Sequence, residues 1–141
     1  MRRVTLLDED AVGPGAMDLV EDDPPLVRVR RWAGEVLSDL AGDELDGCLL
    51  VVTELVSNAY DHGQAPRTVR LHRTPRSCFV RVEVDDAAFG EVVVGRSRLG
   101  AQRGRGMVLV VNLSTAWGVD RHERGKTVWA EVPCAALEVS G

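Results

Sequence analysis

The hydrophobic residues of this 141-residue chain change their period once, near Pro66, and that change decides most of what it can fold into. Before it, apolar side chains recur at three- and four-residue spacing. Leu26, Val29, Ala33, Val36, Leu37 and Leu40 make one stripe, and Leu45, Leu49, Val52, Leu55, Val56 and Ala59 make a second, so two amphipathic helices are predicted. Asp23 is placed to cap the first, with Pro24 and Pro25 in its opening turn and Gly42 as its stop. The second starts near Asp43 or Glu44 and ends at Gly63.

After Pro66 the spacing becomes two. Val69 and Leu71 alternate with polar neighbours, Thr74-Pro75-Arg76-Ser77 reads as a turn, and Val80, Val82 and Val84 alternate with Arg81 and Glu83, which is a hairpin. Ala87 to Arg103 has no sustained period and contains Gly90, Gly95 and Gly100, so it reads as a long loop. Met107 to Leu113 reads as a third helix, and Thr115 to Val119 with Lys126 to Val132 as a closing hairpin around Glu123-Arg124-Gly125. This order predicts an α+β two-layer sandwich, with helices on one face of a mainly antiparallel mixed sheet. Residues 1–23 form a leader in which Val4 to Leu7 can add an edge strand, 24–133 form the domain, and 134–141 a tail.

Charge and cysteine usage narrow the function classes. Seventeen Lys and Arg against 22 Asp and Glu give a net charge of −5, which lacks the positive field that nucleic-acid binding requires. Cys48, Cys78 and Cys134 are widely separated and form no Cys-x-x-Cys pair, so neither a disulfide framework nor a zinc site is indicated. The apolar run Val4 to Leu7 is stopped by Asp8-Glu9-Asp10, too soon for an export signal, and no stretch is long enough to span a membrane. The expectation is a soluble cytoplasmic protein with reduced thiols.

Within the second helix, Glu54, Asn58 and His62 are spaced by four and project from one side, at the edge of the apolar stripe. The oxygen of Asn58, together with substrate phosphates, suits magnesium, and Glu54 one turn away could deprotonate a hydroxyl or water. Taken alone, a row of this kind is more often a solvated polar face than a site. Strand parity puts Asp86 on the inward side with Val80, Val82 and Val84, and Asp85 on the other side. An inward carboxylate needs a donor, such as the exocyclic amine of adenine; a turn-forming Asp that caps the next loop is the alternative. Gly104-Arg105-Gly106 before a helix can cradle phosphate, in a stretch where Arg96, Arg98, Arg103 and Arg105 concentrate positive charge. Gly125-Lys126-Thr127 is not a P-loop, because Asp120 stands where its first glycine belongs and a strand follows. His62, His72 and His122 lie on different elements, which supports neither a metal triad nor a Ser-His-Asp triad.

In order, Glu54 to His62, Asp86, Gly104-Arg105-Gly106-Met107 and Gly125-Lys126-Thr127-Val128-Trp129 resemble the motifs of the Bergerat ATP-binding fold of gyrase, histidine kinases and MutL. The likeness is closest to the short anti-sigma factor serine kinases and covers about residues 24–133. It implies that Asn58 holds Mg, Glu54 acts as base in phosphoryl transfer, and Asp86 reads the adenine of ATP. Gly104 and Gly106 would meet the phosphates beside a lid at Phe89 to Arg103, with His62, Arg103, Arg105, Met107, Lys126 and Thr127 completing the nucleotide site. It also implies a sigma factor as one partner and a serine of an anti-anti-sigma (STAS-type) protein as phosphoryl acceptor, and leaves room for a homodimer. Two features depart from the family: Ala87-Ala88-Phe89 replaces its glycines or serine and proline, and alternation from Val128 turns Lys126 inward and Thr127 outward unless the strand bulges. A non-catalytic protein-binding module with weak or no nucleotide binding is therefore the competing reading. A complete two-component histidine kinase would also need a dimerising helical hairpin and a phospho-acceptor, for which this length leaves no room.

Overall fold

The computed structural model describes residues 15–74, 79–89 and 101–133, with Thr74 and residues 101–106 described by backbone alone. The elements are β1 (Ala16–Leu19), α1 (Leu26–Val36), α2 (Gly42–His62), β2 (Arg67–Thr74), β3 (Phe79–Asp86), α3 (Ala101–Leu113), β4 (Ala116–His122) and β5 (Gly125–Pro133). The strands form one sheet in the order β1-β2-β3-β5-β4, and every pairing among the described residues is antiparallel.

The predicted stripes are the buried ones. Val29, Ala33, Val36, Leu37 and Leu40 from the α1 region and Val52, Leu55, Val56 and Ala59 from α2 pack against Val69, Leu71, Val80, Val82, Val84, Val128, Ala130 and Val132 of the sheet. Met107 and Val110 bring α3 into the same core. The opposite sheet face is a lattice of charge: Glu83 meets Arg70, His72 and Arg81, Asp85 meets Arg70, and Arg81 reaches Glu131 while lying over the Trp129 ring. An antiparallel sheet with one wet face needs this inside-apolar, outside-polar alternation.

Three local expectations are corrected. Asp23 does not cap α1, whose N-cap position is Pro25 without a side-chain bond. A residue before proline is pushed out of the helical region, and Asp23 and Pro24 both precede one, so the helix begins only past Pro25. Gly42 does not end α1; it opens α2 with φ +62°, a backbone geometry that favours glycine. The long loop read to Arg103 ends earlier, because α3 begins at Ala101; glycines at 104 and 106 dilute its apolar period without breaking the helix. Residues 90–100, which make up most of the expected lid, lie outside the described residues, as do Val4 to Leu7, the turn residues 75–78, the tail, Cys78 and Cys134. Ala16–Leu19, inside the expected leader, supplies the edge strand by pairing with β2.

Candidate functional site

Helix α2 brings Glu54 and Asn58 to the edge of the core. Asn58 is only 6% exposed and Glu54 is half-buried, so the helix does not turn this pair into bulk water. Thr53, on the same turn, satisfies its hydroxyl by donating back to Leu49 O at 3.0 Å. Asn58 Nδ2, by contrast, is buried with no hydrogen-bond partner among the described residues. An unmet buried amide is costly, and the two ends of a carboxamide interchange by a half-turn, so this group is suited to a ligand contact through nitrogen or oxygen. His62 is half-buried in the last turn of α2.

Asp86 faces inward at the end of β3, as parity requires, and is 3% exposed. Its Oδ1 accepts from Ala88 N at 2.8 Å and from Lys126 Nζ at 3.0 Å, while Oδ2 has no partner among the described residues. The two sequence alternatives for Asp86 thus coexist: it points into the core and also caps the loop that follows. Lys126 stands opposite Asp86 in the β3–β5 register and is fully buried, so β5 carries no bulge that would exchange it with Thr127. Thr127 lies on the outer face, where its hydroxyl donates to Asp85 Oδ1 at 2.6 Å. As a nucleotide contact beside Asp86 it is corrected, since strand alternation sends it through the sheet.

Sequence reasoning missed the glycines that bracket Asp86. A Cβ on Gly63 would stand 2.4 Å from Asp86 Cγ and 2.5 Å from Ala59 O, and one on Gly125 would stand 2.1 Å from Asp86 O. Gly125 also has φ +144°. The end of α2 therefore approaches the Asp86 carboxylate and the start of β5 approaches its backbone, with Ala87 N bonded to Gln64 O at 2.8 Å. Arg67 fastens the same corner: its Nε donates at 2.9 Å to Ala59 O, which also accepts from Gly63 N, and its guanidinium covers the Tyr60 ring. A glycine at a helix stop was the available signal, although it also fits an ordinary C-cap.

The remaining expected site residues are placed as follows. Arg103, Gly104, Arg105 and Gly106 fall within the first two turns of α3 rather than before it. The ladder of an α-helix bonds each N–H to the carbonyl four residues back, so Gly104 and Gly106, the fourth and sixth residues of α3, do not keep the free amides that a loop before the helix would give them. Met107 is a buried core residue. Among the described residues no group of three metal-ligating side chains occurs, and no helix is long and apolar enough to cross a membrane.

An antiparallel sheet under three helices, with an inward aspartate beside the end of the central one, makes an α+β two-layer sandwich. The family model of the histidine kinase-like ATPase domain matches residues 20–132, and the chain belongs to that family. It is similar in structure to the blue-light activated histidine kinase of Erythrobacter litoralis, with a TM-score of 0.53 and 21% identity over 81% of this chain and 42% of that one. The histidine kinase domain from the same protein gives a TM-score of 0.48 and 19% identity over 94% of this chain and 70% of that one. The first of these likenesses supports the fold; this chain spans less than half the length of that kinase. No curated protein sequence matches.

Proposed function

We propose that the chain binds Mg-ATP between α2 and the end of β3, and acts as an anti-sigma factor and protein-serine kinase toward a serine of a STAS-type anti-anti-sigma partner. The observation that carries the nucleotide site is a pair of buried polar atoms, Asn58 Nδ2 and Asp86 Oδ2, that have no partner among the described residues of a domain of this ATPase family. A buried polar atom without a partner is uncommon in a native protein and marks a place for a ligand. The donor set fits the group: the Asn58 amide would hold Mg, which supplies charge neutralisation at the phosphates. Glu54 stands one turn from Asn58 and would take the proton from the acceptor serine hydroxyl. Asp86 would accept from a nucleobase amine, and the first-turn amides of α3 would meet phosphate oxygens. The sigma factor and its antagonist come from the sequence resemblance.

Incubation with γ-labelled Mg-ATP and candidate anti-anti-sigma proteins tests this reading, with Glu54→Ala and Asn58→Ala beside the native chain. The expected result is label on the partner's serine, reduced at least about a hundredfold by Glu54→Ala, the scale of a lost general base, and nucleotide binding weakened by Asn58→Ala. Absence of both binding and transfer in the native chain refutes the proposal. A second reading, a partner-binding module with little use for nucleotide, is favoured by one observation: Asp86 already has a cation beside it. Sigma-factor binding unchanged by nucleotide, without transfer, would select it.

A further inference from the structure

Lys126 has 0% exposure, although lysine loses heavily on leaving water unless it is paired. The strand dictates this position, since Val128 and Ala130 alternate inward from the same β5 and the register sets Lys126 opposite Asp86. Its ammonium and Ala88 N share Asp86 Oδ1, at 3.0 and 2.8 Å. The other oxygen, Oδ2, has no partner among the described residues and lies beside the end of α2, where a Cβ on Gly63 would come within 2.6 Å. A nucleobase amine arriving from outside meets a carboxylate whose charge is already neutralised. One of its oxygens already has two donors.

From this geometry we infer that Lys126 is a tethered occupant of the base-reading carboxylate, and so the residue that sets base specificity. The native chain then discriminates little between purines and holds nucleotide mainly through its phosphates and Mg. The inference deepens the nucleotide-binding reading and rests on it. Its chemistry is competition between donors: a charge-assisted bond from a covalently attached ammonium is stronger than one from a neutral amine, and the attached group forfeits no translational freedom in making it. Adenine offers an amine where guanine offers a carbonyl, so a carboxylate freed of Lys126 would favour the first and repel the second.

Calorimetric titration of the full chain with Mg-ATP and Mg-GTP, for the native protein and Lys126→Thr, tests this. Threonine is short and suits a strand. The expected native preference for ATP over GTP is under about threefold, and Lys126→Thr should bind ATP about tenfold tighter with little gain for GTP, the scale of one recovered charge-assisted bond. In Asp86→Asn/Lys126→Thr the gain should vanish, which a general loosening of the fold would not produce. If circular dichroism shows Lys126→Thr unfolded, Lys126→Gln replaces it, keeping a polar group without the charge, and should show a smaller gain in the same direction. ATP binding no tighter in the folded variant, or a native preference for ATP above about thirtyfold, overturns the inference. Native binding separately decides the parent reading. A chain that binds no nucleotide until Lys126 is replaced sinks that reading for the native protein and overturns the phosphate-held binding inferred here, while upholding Lys126 as the occupant of the carboxylate; no binding by either protein sinks both.

Discussion

Asp85 and Asp86 are neighbours in sequence that live on opposite faces of β3, and the contrast between them organises the molecule. Asp85 joins the outer lattice with Arg70 and Thr127, in partial contact with water. Asp86 is sealed with Lys126 beneath the helices. Strand alternation alone separates them, yet it converts the same side chain from a replaceable surface partner into a buried charge that the fold must answer. Water shares the work of solvating the outer ions; inside, every charge depends on one named partner.

The largest expected effect breaks that contrast directly. Asp86→Ala strands a buried ammonium and should cost about 3–5 kcal/mol in urea unfolding, whereas Asp85→Ala should cost about 1 kcal/mol or less. Equal losses would mean that the two faces do not differ as described. Next come the glycines. In Gly63→Ala the new methyl meets the Asp86 carboxyl and the Ala59 carbonyl, for about 1–3 kcal/mol, while in Gly118→Ala on the outer side it meets only the Trp129 ring, which can tilt away, for under about 1 kcal/mol.

Acid sharpens the comparison from the outer side. Burial works against ionised Glu83, but hydrogen bonds from His72 and Arg81, with the charges of His72 and Arg70, outweigh it and hold the carboxyl well below the usual carboxylate range. A lowered folded-state pKa gives stability that is present above the ordinary value of 4.5 and lost as pH falls below it toward the folded value. Thermal unfolding between pH 6 and pH 3 should therefore show a loss in the native chain that Glu83→Gln lacks, about 1 kcal/mol after allowance for screening. The smallest effect is that of salt. Raising ionic strength to 1 M should erase most of the difference between native and Glu131→Gln chains, about 0.5 kcal/mol at low salt, and leave the cost of Asp86→Ala almost unchanged.

Much of this was legible in the sequence because periodicity survives translation into structure. The apolar stripes located both long faces of the core, and counting by twos assigned Asp86 and Lys126 inward and Thr127 outward. What escaped had no period to betray it. Ala16–Leu19 is a four-residue edge strand with an aspartate in it, and glycines hid the first turns of α3. The Arg73–Asp39 ion pair joins residues 34 apart in sequence and could not be found from either neighbourhood. The tight seats at Gly63 and Gly125 depend on backbones meeting in space, which spacing along the chain does not encode. The proposed sigma factor and phosphoryl acceptor lie further still from local pattern, since no residue described here names a partner.

The placement of β5 between β3 and β4 has a consequence in time. During synthesis Asp86 emerges well before Lys126, and the strand that carries its counter-charge must thread between two others already made. A nascent chain stalled before residue 125 therefore holds an incomplete sheet with an unanswered carboxylate, and the hollow acquires its final electrostatic character only in the closing step of assembly.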